Sequence, residues 1–154
     1  SISRLTTDDF LNDYSVNVIG AFHSVKASVN SLKTNKGSVL FYSSVAAQIG
    51  FPMHASIGGA KGAIDGLTLS LAAELSPFVR VNAIAPSLTD TPLASRVLAN
   101  DTVKETIGKM HPLKRLGTPE DIANLSAYLL SNEASWVTGQ IFGLDGGRSG
   151  IASM

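Results

Sequence analysis

The stretch from Val39 to Lys61 constrains this chain most. Val39 to Tyr42 is a short apolar run that ends at two serines, Ser43 and Ser44, with turn residues Asn35, Lys36 and Gly37 upstream. Such a run reads as a buried strand. After a loop containing Gly50 and Pro52 the chain becomes rich in Ala and Gly, and Ile57, Ile64, Leu67 and Leu71 approximate one helical face. A hydroxyl, Ser44, therefore sits at the C-terminal tip of a strand, and an ammonium, Lys61, projects from the following helix. In an open α/β sheet the crevice beyond the strand tips is where ligands bind.

The remaining elements extend this pattern. Thr6 followed by Asp8 and Asp9 reads as a helix start, with a cap and acids at the positive end of the dipole. Phe10, Leu11, Tyr14, Val18, Phe22 and Val25 then recur at helical spacing, which predicts a helix to about Leu32. Strands are expected over Val39–Ser43, Val79–Ala85 and Thr138–Leu144, and a long helix over His54–Leu75. Pro86–Thr91 reads as a loop at the end of the second strand. Leu93–Met110 is amphipathic and reads as helical. Thr118-Pro119-Glu120-Asp121 is a further helix start, running to about Ser131. The small residues near Lys61 (Gly58, Gly59, Ala60, Gly62, Ala63) predict the close approach of another backbone or a cofactor. Helices alternating with strands in this order predict a doubly wound α/β fold with a parallel sheet.

Bulk properties exclude several function classes. At 154 residues the chain fits one domain, and the 12 basic and 12 acidic residues cancel. That balance gives no basic footprint for nucleic acid or an anionic membrane surface. There is no cysteine, so neither a disulfide framework nor a thiolate metal site is available. No apolar run reaches the roughly 18 residues needed to span a bilayer.

Ser44 and Lys61 stand seventeen residues apart, and this spacing resembles the short-chain dehydrogenase/reductase family. Members carry a Ser, a Tyr thirteen residues later and a Lys four residues after that; here the Tyr position is Ile57. Asn17-Val18-Ile19-Gly20 resembles the family's helix motif, in which an Asn completes a catalytic tetrad. Arg80 to Pro86 resembles the strand that leads to the nicotinamide loop, with Ser87 where members have Gly and Thr91-Pro92 beyond. Arg115 to Ala123, Thr138-Gly139-Gln140 and Asp145-Gly146-Gly147 resemble the family's late helix, last strand and tail.

The resemblance implies a Rossmann-like fold and an NAD- or NADP-dependent oxidoreductase acting on a small alcohol, ketone or enoyl substrate. It implies a cytoplasmic homo-oligomer, dimer or tetramer, built on the helices that begin at Asp8 and His54. The Gly-rich turn that binds the cofactor pyrophosphate in members is missing from this sequence. Residues 1–154 are therefore expected to be the C-terminal part of a single such domain.

By the same resemblance the catalytic residues are Ser44, which orients the substrate oxygen, Lys61, which bonds the nicotinamide ribose, and Asn17, which holds a water relay. Lys61, Pro86, Ser87 and Thr91 are the expected cofactor contacts. The bland alternatives are a surface lysine, strand-end and helix polar residues, and a simple helix cap at Thr91. Ser87 in place of Gly predicts that a loop position favouring positive φ is either strained or rebuilt. His23 and His111 receive no role, and Trp136, Tyr14 and Phe22 read as core or interface residues. Ile57 donates no proton, and a general acid contributes roughly 10²- to 10⁴-fold. Three readings stay open: His54, two helical turns before Lys61, donates the proton; the substrate needs little acid help; or the chain is an inactive family member that binds or assembles.

Overall fold

A computed structural model of the chain describes residues 1–151. Three strands, β1 (Ser38–Tyr42), β2 (Arg80–Pro86) and β3 (Ile141–Leu144), form a parallel sheet in the order β1-β2-β3. Five α-helices accompany it: α1 (Thr7–Tyr14), α2 (Gly20–Thr34), α3 (Ala55–Leu75), α4 (Asp101–Lys109) and α5 (Pro119–Leu130). Ser38 pairs with Arg80 and Tyr42 with Ile84, while Ala83 pairs with Ile141 and Pro86 with Leu144. All three strands therefore end on the same side.

Side chains alternate across the strands, so the sheet buries both faces. Phe41, Val81 and Ala83 pack with Val25 of α2 and with Ile64, Ala72 and Leu75 of α3. Leu40, Ile84 and Phe142 pack on the other face with Leu125 and Leu129 of α5. Two apolar faces need helices on both sides, and this is the doubly wound arrangement that the periodicity predicted. Burying so much of β2 demands that its polar side chains be satisfied. Asn82, fully buried, donates to Val137 O at 2.9 Å and accepts from Gln140 N at 3.0 Å. Arg80 donates to the carbonyls of Leu129 and Ser131 at the C-terminus of α5, where the helix dipole favours a cation.

The predicted helix starts hold. Thr6 and Thr118 both form reciprocal capping boxes, with Asp9 and Asp121. Asp121 also forks to Arg115 at 2.6 and 2.9 Å, and this pairing, with the Thr118 N–H, holds its carboxyl well below the usual carboxylate range. A carboxyl lowered in the fold stabilises above its unfolded value and loses that contribution as pH falls through the folded one. Acidification below about pH 4 is therefore expected to lower the melting temperature more steeply in the parent than in Asp121→Asn, as a pH series of thermal melts would show.

Trp136, read as core or interface, is 99% exposed, so it is no part of the core and the interface alternative is left. Three expectations need correction. The third strand starts at Ile141 rather than Thr138, because Gly139 adopts φ +69° and breaks the extended run. Leu93–Met110 is not one helix: a 3₁₀ turn over Pro92–Arg96 precedes α4, which starts where Asn100 accepts a hydrogen bond from Val103 N at 3.0 Å. The first helix is interrupted by a π-helical turn at Ser15–Ile19. The small residues of α3 are partly explained: a Cβ on Gly58 would lie 3.1 Å from the Ala46 carbonyl oxygen, so a backbone does come close there. Among the described residues no helix is long and apolar enough to cross a membrane.

Candidate functional site

Beyond the tips of β1 and β2 lies an open, mostly apolar groove of about 600 Å³. Ser44, His54, Pro86, Ser87 and Thr91 line it together, with Leu93, Val97, Ile107 and Met110 on the side of α4. Five of the sequence-predicted site residues thus converge, though they come from three separate parts of the chain.

Ser44 follows β1 and caps a 3₁₀ turn over Val45–Ala47, its Oγ accepting from Ala46 N at 3.1 Å. That bond fixes the oxygen and leaves the hydroxyl proton to be donated. His54 stands immediately before α3, half of its ring chemistry committed: Nδ1 lies 2.8 Å from Pro52 O. A carbonyl only accepts, so Nδ1 carries a hydrogen and Nε2 is the nitrogen left for exchange. The ring also tilts against Phe51 at 5.6 Å between centroids.

Lys61 does not line the groove. Its Nζ donates to Tyr42 O, the last carbonyl of β1, at 2.8 Å. It is half-buried, and burial lowers its pKa from the ordinary lysine value. Among the described residues no carboxylate lies within ion-pair distance of it. The ammonium is thus held against the strand tip by one hydrogen bond, with two N–H donors in hand. Behind it, Ser43 donates to the Lys61 carbonyl at 3.3 Å and faces Asp65, whose carboxyl burial raises and the serine partly offsets. Asp65, one turn beyond Lys61, escaped sequence reasoning because a lone helix carboxylate reads as a solvated face.

Asn17 sits in the π-helical turn, and its amide donates to Asp13 O at 2.9 Å. The side chain is thus turned onto its own helix, which packs against α3, and it is not a lining residue of the groove. The widened turn is the kind of irregularity that recurs at functional sites. Ile57 is half-buried and lines a neighbouring opening with Asp13 and Ser56; His54 lines both openings.

Ser87 carries no strain, which leaves the rebuilt loop of the two expectations. Its φ is not positive, and its hydroxyl lies 2.8 Å from Nε2 of His111. His111 is 1% exposed and its Nδ1 lies 3.0 Å from Ile107 O. Nδ1 therefore donates to that carbonyl and Nε2 accepts from Ser87. The bond ties the Pro86–Thr91 loop to the end of α4, and a salt bridge from Lys104 to Asp90 at 2.8 Å ties it a second time. No local pattern could reveal His111, since its partner stands 24 residues earlier. His111→Leu removes the bonds to Ser87 and to Ile107 O together and is expected to cost about 1–3 kcal/mol of stability, measured by denaturant unfolding; Ser87→Ala in the same background should then be nearly silent.

A family model described as Enoyl-(Acyl carrier protein) reductase matches residues 1–149. The chain is 38% identical over 146 residues to the peroxisomal 2,4-dienoyl-CoA reductase SPS19 of Saccharomyces cerevisiae, covering 94% of this chain and 50% of that one. It is 42% identical over 142 residues to 2-(S)-hydroxypropyl-CoM dehydrogenase 3 of Xanthobacter autotrophicus, covering 88% and 56%. The solved structure of ElxO with NADP bound superposes with a TM-score of 0.88 at 26% identity, over 96% of this chain and 60% of that one. The chain spans about half the length of the curated relatives it matches. With the strand order, the Ser44–Lys61 spacing and these matches in agreement, the chain belongs to the short-chain dehydrogenase/reductase family of oxidoreductases.

Proposed function

We propose that the full-length protein is an NAD(P)-dependent oxidoreductase that interconverts a small alcohol and ketone, or reduces an enoyl group, in the groove beyond β1 and β2. The observation that carries this reading is the position of Lys61: a half-buried ammonium without a carboxylate partner, fixed to the β1 tip beside a groove that holds Ser44 and His54. Burying a charge this way costs stability and calls for a ligand rich in acceptors. A nicotinamide ribose is such a ligand, and the residues present fit that end of the cofactor. Pro86, Ser87 and Thr91 would hold the nicotinamide side, and Lys61 the ribose hydroxyls.

The bound cofactor supplies or accepts the hydride. Ser44 donates a hydrogen bond to the substrate oxygen, its own lone pair committed to Ala46 N. His54 stands where it can pass a proton through Nε2, in place of the tyrosine that Ile57 replaces. Lys61 raises the local positive potential and so favours negative charge developing on that oxygen. Asn17, in its π-helical turn, supports the α3 side of the site. The outer edge of β1 has no partner strand among the described residues, which favours a domain that continues beyond the elements described. The exposed apolar residues of the first helices, Leu11, Val16, Ile19 and Phe22, favour a homo-oligomer.

The test is a fluorescence titration of the full-length protein with NADH and NADPH, followed by turnover on a panel of ketones and enoyl thioesters. Binding of one cofactor with turnover of at least one substrate class is expected. Binding of neither would overturn the reading.

A further inference from the structure

Arg148 is the one lysine or arginine among the residues that line the groove, and neither aspartate nor glutamate lines it. Its guanidinium lies over the Phe51 ring, 5.3 Å from the centroid. Phe51 in turn packs against His54, so the cation continues the wall that carries the proposed proton donor. Among the described residues Arg148 has no ion-pair partner and no side-chain hydrogen bond. Asp145, three residues earlier, is not available to it: that carboxylate accepts from Gly147 N, Ser149 N and the Ser149 hydroxyl.

An aromatic face satisfies a guanidinium only from above. The five N–H donors lie in its plane and match a carboxylate or sulfonate edge-on, two bonds at a time. The rest of the lining, Leu88, Leu93, Val97, Ile107 and Met110, offers apolar contact. We infer that Arg148 selects the substrate, and that the substrate is a small apolar molecule carrying a carboxylate or sulfonate, the anionic group on Arg148 and the apolar body along the α4 side. This rests on the reading of the groove as the substrate site. The Phe51 ring holds the guanidinium at the groove wall, so part of its cost of ordering is met before the substrate arrives.

The test compares two probes of one shape on the full-length protein without cofactor, by isothermal titration at low ionic strength. 2-Naphthoate is expected to bind at least about ten-fold more tightly than the neutral methyl 2-naphthyl ketone. Arg148→Gln should erase that gap and leave the ketone unchanged, whereas Arg148→Lys should keep part of it. Added salt should narrow it. Thermal melts of both variants confirm folding. Equal binding of the two probes by the parent, or a gap that survives in Arg148→Gln, overturns the inference. A parallel turnover assay with a 2-oxo acid, a 2-enoic acid and the methyl ester of each separates this from the oxidoreductase reading. A gap without turnover sinks that reading alone, and turnover without preference for the acid sinks the role of Arg148 alone.

Discussion

Lys61→Met is expected to lower turnover by about 10²- to 10³-fold while leaving the fold as stable as the parent or more so. The two effects share one cause. Lys61 is half-buried with a single acceptor, Tyr42 O, and burial holds its pKa below the ordinary value of 10.5. A lysine lowered in this way binds its proton less well folded than unfolded. The unfolded chain therefore carries more protons between the folded value and 10.5, so stability rises with pH across that window. Below it, at neutral pH, the full penalty of the buried ammonium is present. Methionine has similar length and no charge, and it removes the penalty. The Tyr42 carbonyl loses a donor, a loss smaller than the penalty removed with the half-buried charge.

Turnover should move in the opposite direction, because on the proposed reading Lys61 holds the ribose and supplies the positive potential beside the developing charge, and electrostatic stabilisation of that kind contributes about 10²- to 10³-fold. The measurements are thermal melts from neutral to alkaline pH and steady-state kinetics on the full-length protein. In Lys61→Met the rise in stability on the alkaline side should vanish. A variant that turns over within a few-fold of the parent would remove Lys61 from the site, and a variant that melts well below the parent would make the lysine a structural residue instead.

The contrast between Lys61 and His111 shows where sequence reading reaches and where it stops. Lys61 was legible because every step is local: an apolar run, two serines, a loop and an α3 face repeat at fixed periods, so strand tip and helix start are set by neighbours in the chain. The caps at Thr6 and Thr118 were legible for the same reason. Asn100 before Asp101 was a cap signal too, and reading it would have split Leu93–Met110 correctly. The π-helical turn around Asn17 has no such marker, because it depends on how α1 and the turn itself pack on α3. His111 is fixed by a hydroxyl across a loop, and Arg148 by an aromatic ring 97 positions away in sequence. Such contacts follow from the tertiary fold and leave no period behind. Trp136 was read as core or interface, and it stands on a loop after α5 with its ring in the open, which leaves the interface alternative.

His54→Gln is expected to lower the rate of carbonyl reduction by about 10²- to 10⁴-fold, the contribution of a general acid. With Nδ1 committed to Pro52 O, a protonated His54 carries its transferable hydrogen on Nε2. On the proposed role, reduction draws its proton from that nitrogen, so His54→Gln should lose the pH dependence that the parent shows. Ile57 supplies the complementary variant. It lines an opening that shares Ala46, Phe51 and His54 with the groove, so a longer phenolic side chain there has a path toward Ser44. Ile57→Tyr in the His54→Gln background is expected to recover activity, now with a pH limb set by the phenol, whose ordinary value is about 10. The pattern separates a proton donor from a residue that merely caps α3: a capping role predicts a lower melting temperature, an unchanged pH limb and no rescue from Tyr at position 57. Should His54→Gln retain both the parent rate and its pH profile, the proton must come from elsewhere. The remaining reading is then a substrate, such as a conjugated enoyl thioester, whose reduction asks little of an acid at this site.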